Sequence, residues 1–163
     1  MKRYCLDTNV FVEAWTKYYS MDLCPGYWEI LDALAQEGRI FSSIEVKREI
    51  ENSEDDLHAW VKERPHFFHE VTEEVQQCLV QVLNDHGRLV DSTKQRSMAD
   101  PWVIAHAMAE NAVVVTKEEA SGSKKRIKIP DVCYNLGVPV MDDFEFLSEI
   151  GVRFDASRHE KDV

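Results

Sequence analysis

Three acidic residues, Asp7, Asp100 and Glu118, fall at or just beyond joints of predicted strands and helices, and a fourth, Glu49, lies one to two turns into a predicted helix. Asp7 closes the apolar run that starts "YCLDTNVFVEAW", and Thr8 and Asn9 follow before the apolar pattern resumes at Val10, Phe11 and Val12. Glu49 lies beside Val46 and Ile50, at the border of the apolar stripe of a helix that begins near Ser43. Glu45 is a rival farther round that helix. Asp100 precedes Pro101 in "ADPWVIAHAMA" and heads the stripe Val103, Ile104, Ala107 and Met108. Glu118 follows "AVVVTK", with Glu119 beside it. Each has an ordinary explanation when taken singly. Asp7 can cap a helix, and Asp100 with Pro101 behind it reads as an N-cap followed by proline at the first helical position. Glu49 and Glu118 can be solvated side chains. Those explanations leave over the coincidence of four acids from four segments. Clustered carboxylates repel and raise one another's pKa unless cations lie between them. Sets of oxygen donors suit Mg²⁺ or Mn²⁺ rather than zinc. One or two such ions can activate a water and stabilise the leaving oxygen in phosphodiester cleavage. In that arrangement Asp7 holds metal, while Thr8 and Asn9 orient it and cap the helix.

Such a cluster needs a frame that brings distant segments to one edge. Short apolar runs alternate with longer helical patterns, which predicts an α/β fold around a mostly parallel sheet. Strands are predicted over 3–7, 39–42, 112–116 and 138–141, with a weaker one over 67–71. Helices are predicted over 9–18, 26–36, 43–52, 55–63, 73–85, 101–110 and 143–150. In a parallel sheet every strand's carboxyl end and every following helix's N-terminus share one edge, and ligands bind there. The stretch 118–130, "EEASGSKKRIKIP", reads as a loop.

The totals fit this frame. The 163 residues predict a single domain over 1–154 with a charged tail over 155–163. A hydrophobic share of 44% and a charged share of 30% are those of a soluble globule. No apolar run approaches the ~20 residues that cross a bilayer. The N-terminus enters a strand directly, without a signal peptide pattern. Cys5, Cys24, Cys78 and Cys133 are far apart and form no Cys-x-x-Cys pair, so they read as free thiols in a reducing cytoplasm. A net charge of −11 argues against binding nucleic acid through a broad basic surface, but not within one local cleft.

The segments "LDTNVFVEA", "SSIEVKREI" and "ADPWVIAHAMAENAVVVTKE" resemble the PIN domain family, in that order and at similar separations. The runs "YYSMDLCPGYWEILDALAQEGRI" and "KKRIKIPDVCYNLGVPVMDDFEFL" resemble a PIN-like subfamily of poorly characterised prokaryotic proteins, relatives of VapC-like toxins. The resemblance covers about residues 2 to 150. It implies a three-layer α/β/α sandwich and an Mg²⁺- or Mn²⁺-dependent ribonuclease. It also implies the toxin role in a toxin–antitoxin pair, with an antitoxin partner encoded nearby and a homodimer among the possible states. Asp7, Glu49 and Asp100 match three acids of the PIN metal site. The fourth acid follows a "VVT" strand, a place taken here by Glu118 after Thr116, with Glu119 and Asp131 as alternatives.

Lys124, Lys125, Arg126 and Lys128 form a local basic run beside the fourth acid, suited to RNA phosphates or simply to solvent. His66 and His69 lack a third ligand at metal spacing, and His106 reads as a satisfied packing residue. Tyr18, Tyr19, Tyr27 and Trp28 read as core or interface. Two other functions compete. A phosphatase of the haloacid dehalogenase type also has a strand-terminal Asp followed by Thr, but it needs a second Asp where Asn9 stands, and Asn9 donates no such proton. A non-catalytic interaction module would keep the fold without the chemistry.

Overall fold

The sheet is built from five short strands: β1 (Tyr4–Leu6), β2 (Ile40–Ser43), β3 (Phe68–His69), β4 (Val113–Val115) and β5 (Val140–Met141). The structure, a computed structural model, describes residues 1–53, 56–86, 98–121 and 127–161. The strand order is β3-β2-β1-β4-β5, and every neighbouring pair is parallel. β1, β2 and β4 are buried at every residue, as strands covered on both faces must be.

The connecting helices are α1 (Thr8–Glu13), α2 (Pro25–Gln36), α3 (Ile44–Glu51), α4 (Leu57–Lys62), α5 (Glu73–His86), α6 (Asp100–Glu110), α7 (Ile129–Leu136) and α8 (Asp143–Ile150). The chain steps from β1 to β2 to β3 in one direction, then returns to β4 and steps to β5 in the other. Parallel crossovers are right-handed, so the helices of the first path cover one face and those of the second cover the opposite face. The result is the expected three-layer α/β fold. Phe11, Trp28, Leu31, Phe41, Ile104 and Val114 are wholly or almost wholly buried between the layers. Rings pack edge-on through this core, Trp28 against Trp60 and Phe11 against Phe67.

The predicted strands lie in the expected places; β2 keeps its predicted length and is shifted by one residue, and the others are shorter. The predicted helix over 9–18 divides into α1 and a π-helical turn, Ala14–Tyr18. The strand predicted over 67–71 shrinks to β3, because a 3₁₀ turn, Pro65–Phe67, precedes it. α7 was not anticipated. Its signals are local: Pro130 in the first turn, Asp131 bonded to the Lys128 backbone N–H at 2.9 Å, and Gly137 in the left-handed conformation at its end. The N-cap expected at Asp100 is corrected. Ala99 occupies the cap position with no side-chain cap bond, and Asp100 is the first residue of α6.

The four cysteines are free, with Cys5 and Cys133 buried. Among the described residues no helix is long and apolar enough to cross a membrane.

Candidate active site

Asp7 follows the last residue of β1, and its backbone N–H donates to Val115 O at 2.9 Å, so the ends of β1 and β4 are locked side by side. Its carboxylate is held on both oxygens. Thr8 N–H donates to Oδ1 at 2.7 Å, and the Thr116 hydroxyl donates to Oδ2 at 2.9 Å. The Thr116 oxygen in turn accepts from Glu118 N–H at 3.1 Å, which turns the chain at the end of β4. Glu118 Oε2 accepts from Ile129 N–H, the first residue of α7, at 3.0 Å. Asn9 Oδ1 accepts from Lys117 N–H at 3.0 Å. The Asp-Thr-Asn run thus caps α1 and fixes the 116–118 turn against it. Ser43 caps α3 by accepting from Glu45 N–H, and one to two turns later Glu49 Oε2 accepts from Ala99 N–H at 3.2 Å. That bond ties α3 to the start of α6, next to Asp100.

Asp7 is 1% exposed and Asp100 6%. Burial raises the pKa of Asp7, and the Glu118 and Glu49 carboxylates push it further, against hydrogen bonds from Thr116 and Thr8. Burial likewise raises Asp100, reinforced by Asp7, Glu118 and Glu49 and opposed by the Lys128 ammonium. Burial also raises Glu49, while the Ala99 N–H opposes it. Asp7 and Asp100 therefore each sense carboxylates that come from other segments. Among the described residues no three His, Cys, Asp or Glu side chains close into a ready-made metal cage.

The donor set fits a hard divalent cation on two counts. Every donor is an oxygen. The buried Thr8 hydroxyl, next to Asp7, has no hydrogen-bond partner among the described residues, an uncommon condition for a buried polar atom.

The alternative acids have other surroundings. Glu119 is exposed. Asp131 serves the α7 start and Ser121, whose N–H and hydroxyl both reach Asp131 Oδ2. Glu45 pairs with Arg48. Lys128 stands at the N-cap position of α7. Lys124, Lys125 and Arg126 lie outside the described residues. His66 bonds Asp32, and His69 stacks on Phe41 and bonds Glu110. His106 departs from expectation. It is wholly buried with Nδ1 3.5 Å from Glu110 Oε2, while Nε2 has no partner among the described residues, so it is only half satisfied there. Tyr27 and Trp28 are core residues, but Tyr18 is exposed.

One pair beside the site was not read from the sequence. Lys117 Nζ donates to Asp143 Oδ1 at 2.9 Å, and the two side chains are only 10% and 2% exposed. The only sequence signal was position, since Lys117 lies between Thr116 and Glu118.

The family model described as a domain of unknown function, DUF4411, matches residues 4–154. The chain belongs to the DUF4411 family. No curated protein matches this DUF4411 chain. Among solved structures it is similar to the crystal structure of VapBC2 from Rickettsia felis bound to a DNA fragment from their promoter. That likeness has 18% identity and a TM-score of 0.47, and it covers 85% of this chain and 97% of the other.

Proposed function

We propose that the chain is a PIN-type endoribonuclease in which Asp7, Glu49, Asp100 and Glu118 hold one or two Mg²⁺ or Mn²⁺ ions. The observation that carries the reading is the burial of Asp7, just past β1, and Asp100, at the start of α6, where Glu118 beyond β4 and Glu49 within α3 both act on them. Burying two acids beside two more is costly unless the folded chain gains something for it, and a bound cation supplies that compensation. When bound, such an ion provides an activated water and positive charge for the leaving oxygen.

The chain's own residues orient the donors. Thr116 and Thr8 fix both oxygens of Asp7. Ala99 N–H anchors one oxygen of Glu49, and Ile129 N–H anchors one of Glu118. Each of these last two acids keeps its other oxygen for a ligand. Lys128 is the described cation that acts on Asp100, and it suits a substrate phosphate. The choice of RNA rests on the PIN resemblance of the three motifs.

The same resemblance, with the net charge of −11, supports an antitoxin partner that lays a basic segment over the acidic edge. Co-expression with the adjacent gene and affinity purification should recover that product with the chain. Recovery of the chain alone argues against the toxin role and leaves the nuclease untouched.

The direct test is incubation of the purified chain with RNA, with and without Mn²⁺. Cleavage should require the cation and leave 5′-phosphate and 3′-hydroxyl ends, because water is the nucleophile. Asp7→Asn and Asp100→Asn should each lose about a hundredfold or more, the scale of a missing acid–base or charge-stabilising group, with circular dichroism unchanged. Products ending in 2′,3′-cyclic phosphate would overturn the mechanism. No cleavage by the wild type would leave the interaction module as the better reading.

A further inference from the structure

A cleft of about 500 Å³ opens beside the acids and shares Thr116 and Glu118 with them. That volume falls in the ~300–1,000 Å³ range of small-molecule sites. Three aromatic side chains line it and remain open to solvent: Tyr18 at 43%, Phe144 at 50% and Tyr134 at 69% exposure. They come from three elements, the π-helical turn, α8 and α7. Large apolar rings grouped at the surface mark a place of contact. Lys117 Nζ lies 4.0 Å from the centre of the Tyr18 ring and 4.1 Å from that of Phe144, and its bond to Asp143 holds it there. Glu13, Glu119 and Glu145 add carboxylates to the wall.

We propose that this cleft seats an unpaired nucleobase of the RNA strand, one bearing an exocyclic amine, next to the phosphodiester that lies at the acids. The proposal rests on the nuclease reading and adds to it a substrate subsite. The carboxylate wall repels phosphate, so the part of a nucleotide that enters is its base. A base offers a neutral π-face to the rings, and stacking on aromatic side chains contributes ~1–3 kcal/mol per base. Its amine can donate to a wall carboxylate, as cytosine and adenine amines donate to side-chain acceptors elsewhere. A protein guanidinium also matches rings and acids. The proposed nuclease activity, however, brings an RNA strand to the adjoining acids, so a base is the ligand that this reading supplies, and a guanidinium is the contrary outcome of the test.

The test is the binding of fluorescently labelled pentaadenylate and pentauridylate in chelator, where nothing is cut. Wild type should bind the adenylate more tightly. The double variant Tyr134→Ala, Phe144→Ala should weaken that binding about ten- to hundredfold. Tyr134→Phe, which keeps a stacking face, should bind as wild type does. Unchanged adenylate binding by the double variant overturns the proposal. So does a cleft that takes an arginine-rich peptide and no oligonucleotide, which makes it a protein docking surface. A Mn²⁺ melting shift on the same samples separates the two readings. A shift without any effect of the rings sinks the base subsite alone. No shift sinks the metal centre, and this subsite with it.

Discussion

At the residue scale, Thr116 does more than its place at a strand end requires. One hydroxyl donates to Asp7 and accepts from Glu118 N–H, so it fixes two of the proposed metal-holding acids. Thr116→Val keeps the shape, leaves a buried carboxylate oxygen without its donor and removes an acceptor from the turn. Loss of one partner of a buried polar pair costs about 1–3 kcal/mol. For a chain of this length each kcal/mol lowers the melting temperature by roughly 2–4 °C. Thr116→Ser, which keeps the hydroxyl, should recover most of that loss in a thermal melt. Equal melting of the valine and serine variants would show that the hydroxyl is idle. Asp7 and Glu118 were legible because each lies just past the end of a strand, and a parallel sheet sends all such ends to one edge. The capping role expected of Asp100 was wrong for a reason outside its own segment. An Asp-Pro pair fits either the cap or the first helical position. Here Ala99 takes the cap, and its N–H is satisfied by Glu49 from another helix. Lys117 and Asp143 were invisible for the same reason, since their bond spans 26 positions.

At the scale of elements, the strands could be read from their apolar runs, while α7 hid behind its composition. It is eight residues long, carries a proline in its first turn and follows a highly charged stretch of sequence, so its period is too brief to stand out. Yet it supplies the Ile129 N–H that anchors Glu118, and a misplaced α7 would loosen the fourth acid. Gly137 ends it at φ +70°, and a Cβ added there meets nothing within 4 Å. The cost of Gly137→Ala is therefore strain alone, about 1–2 kcal/mol. Gly26 gives the opposite sign. It lies inside α2 at an ordinary φ, also with open space around its Cβ position, so Gly26→Ala should stabilise by about 0.5–1 kcal/mol. Chemical denaturation of both variants checks the pair. A neutral or stabilising Gly137→Ala would mean that α7 does not end in a left-handed turn.

At the scale of the whole molecule, the acidic edge makes stability depend on pH and on cations together. The alternation of elements foretold that edge, but its burial comes from the packing of α3 and α6 over it, which no local pattern states. Asp7 and Asp100 bind protons more tightly in the folded chain than in the unfolded one. Groups raised in this way stabilise the fold at acid pH, and that stability is lost as pH rises from the ordinary carboxylate range through their raised folded values. Glu110 runs the other way. Burial opposes its ionisation, but hydrogen bonds from His106, His69 and Arg3 carry it well below the usual range. Its contribution is present above the ordinary glutamate value and lost only as pH falls below that, so it stays constant across the window in which the aspartates act. A divalent cation replaces the protons that Asp7 and Asp100 retain. In chelator, the wild type should melt lower at pH 8 than at pH 5.5. Millimolar Mn²⁺ should raise the melt more at the higher pH. At a hundredfold excess over Kd the gain is ~2.7 kcal/mol, or roughly 5–10 °C for this length. Asp7→Asn and Asp100→Asn each replace a carboxyl whose ionisation the fold disfavours with a neutral amide. Without metal they should melt at or above the wild type at pH 8, the reverse of an ordinary core substitution, and they should gain less from Mn²⁺. A wild-type melt that ignores Mn²⁺ at both pH values, or shifts by the same amount in all three proteins, would mean that these acids are not where the cation binds.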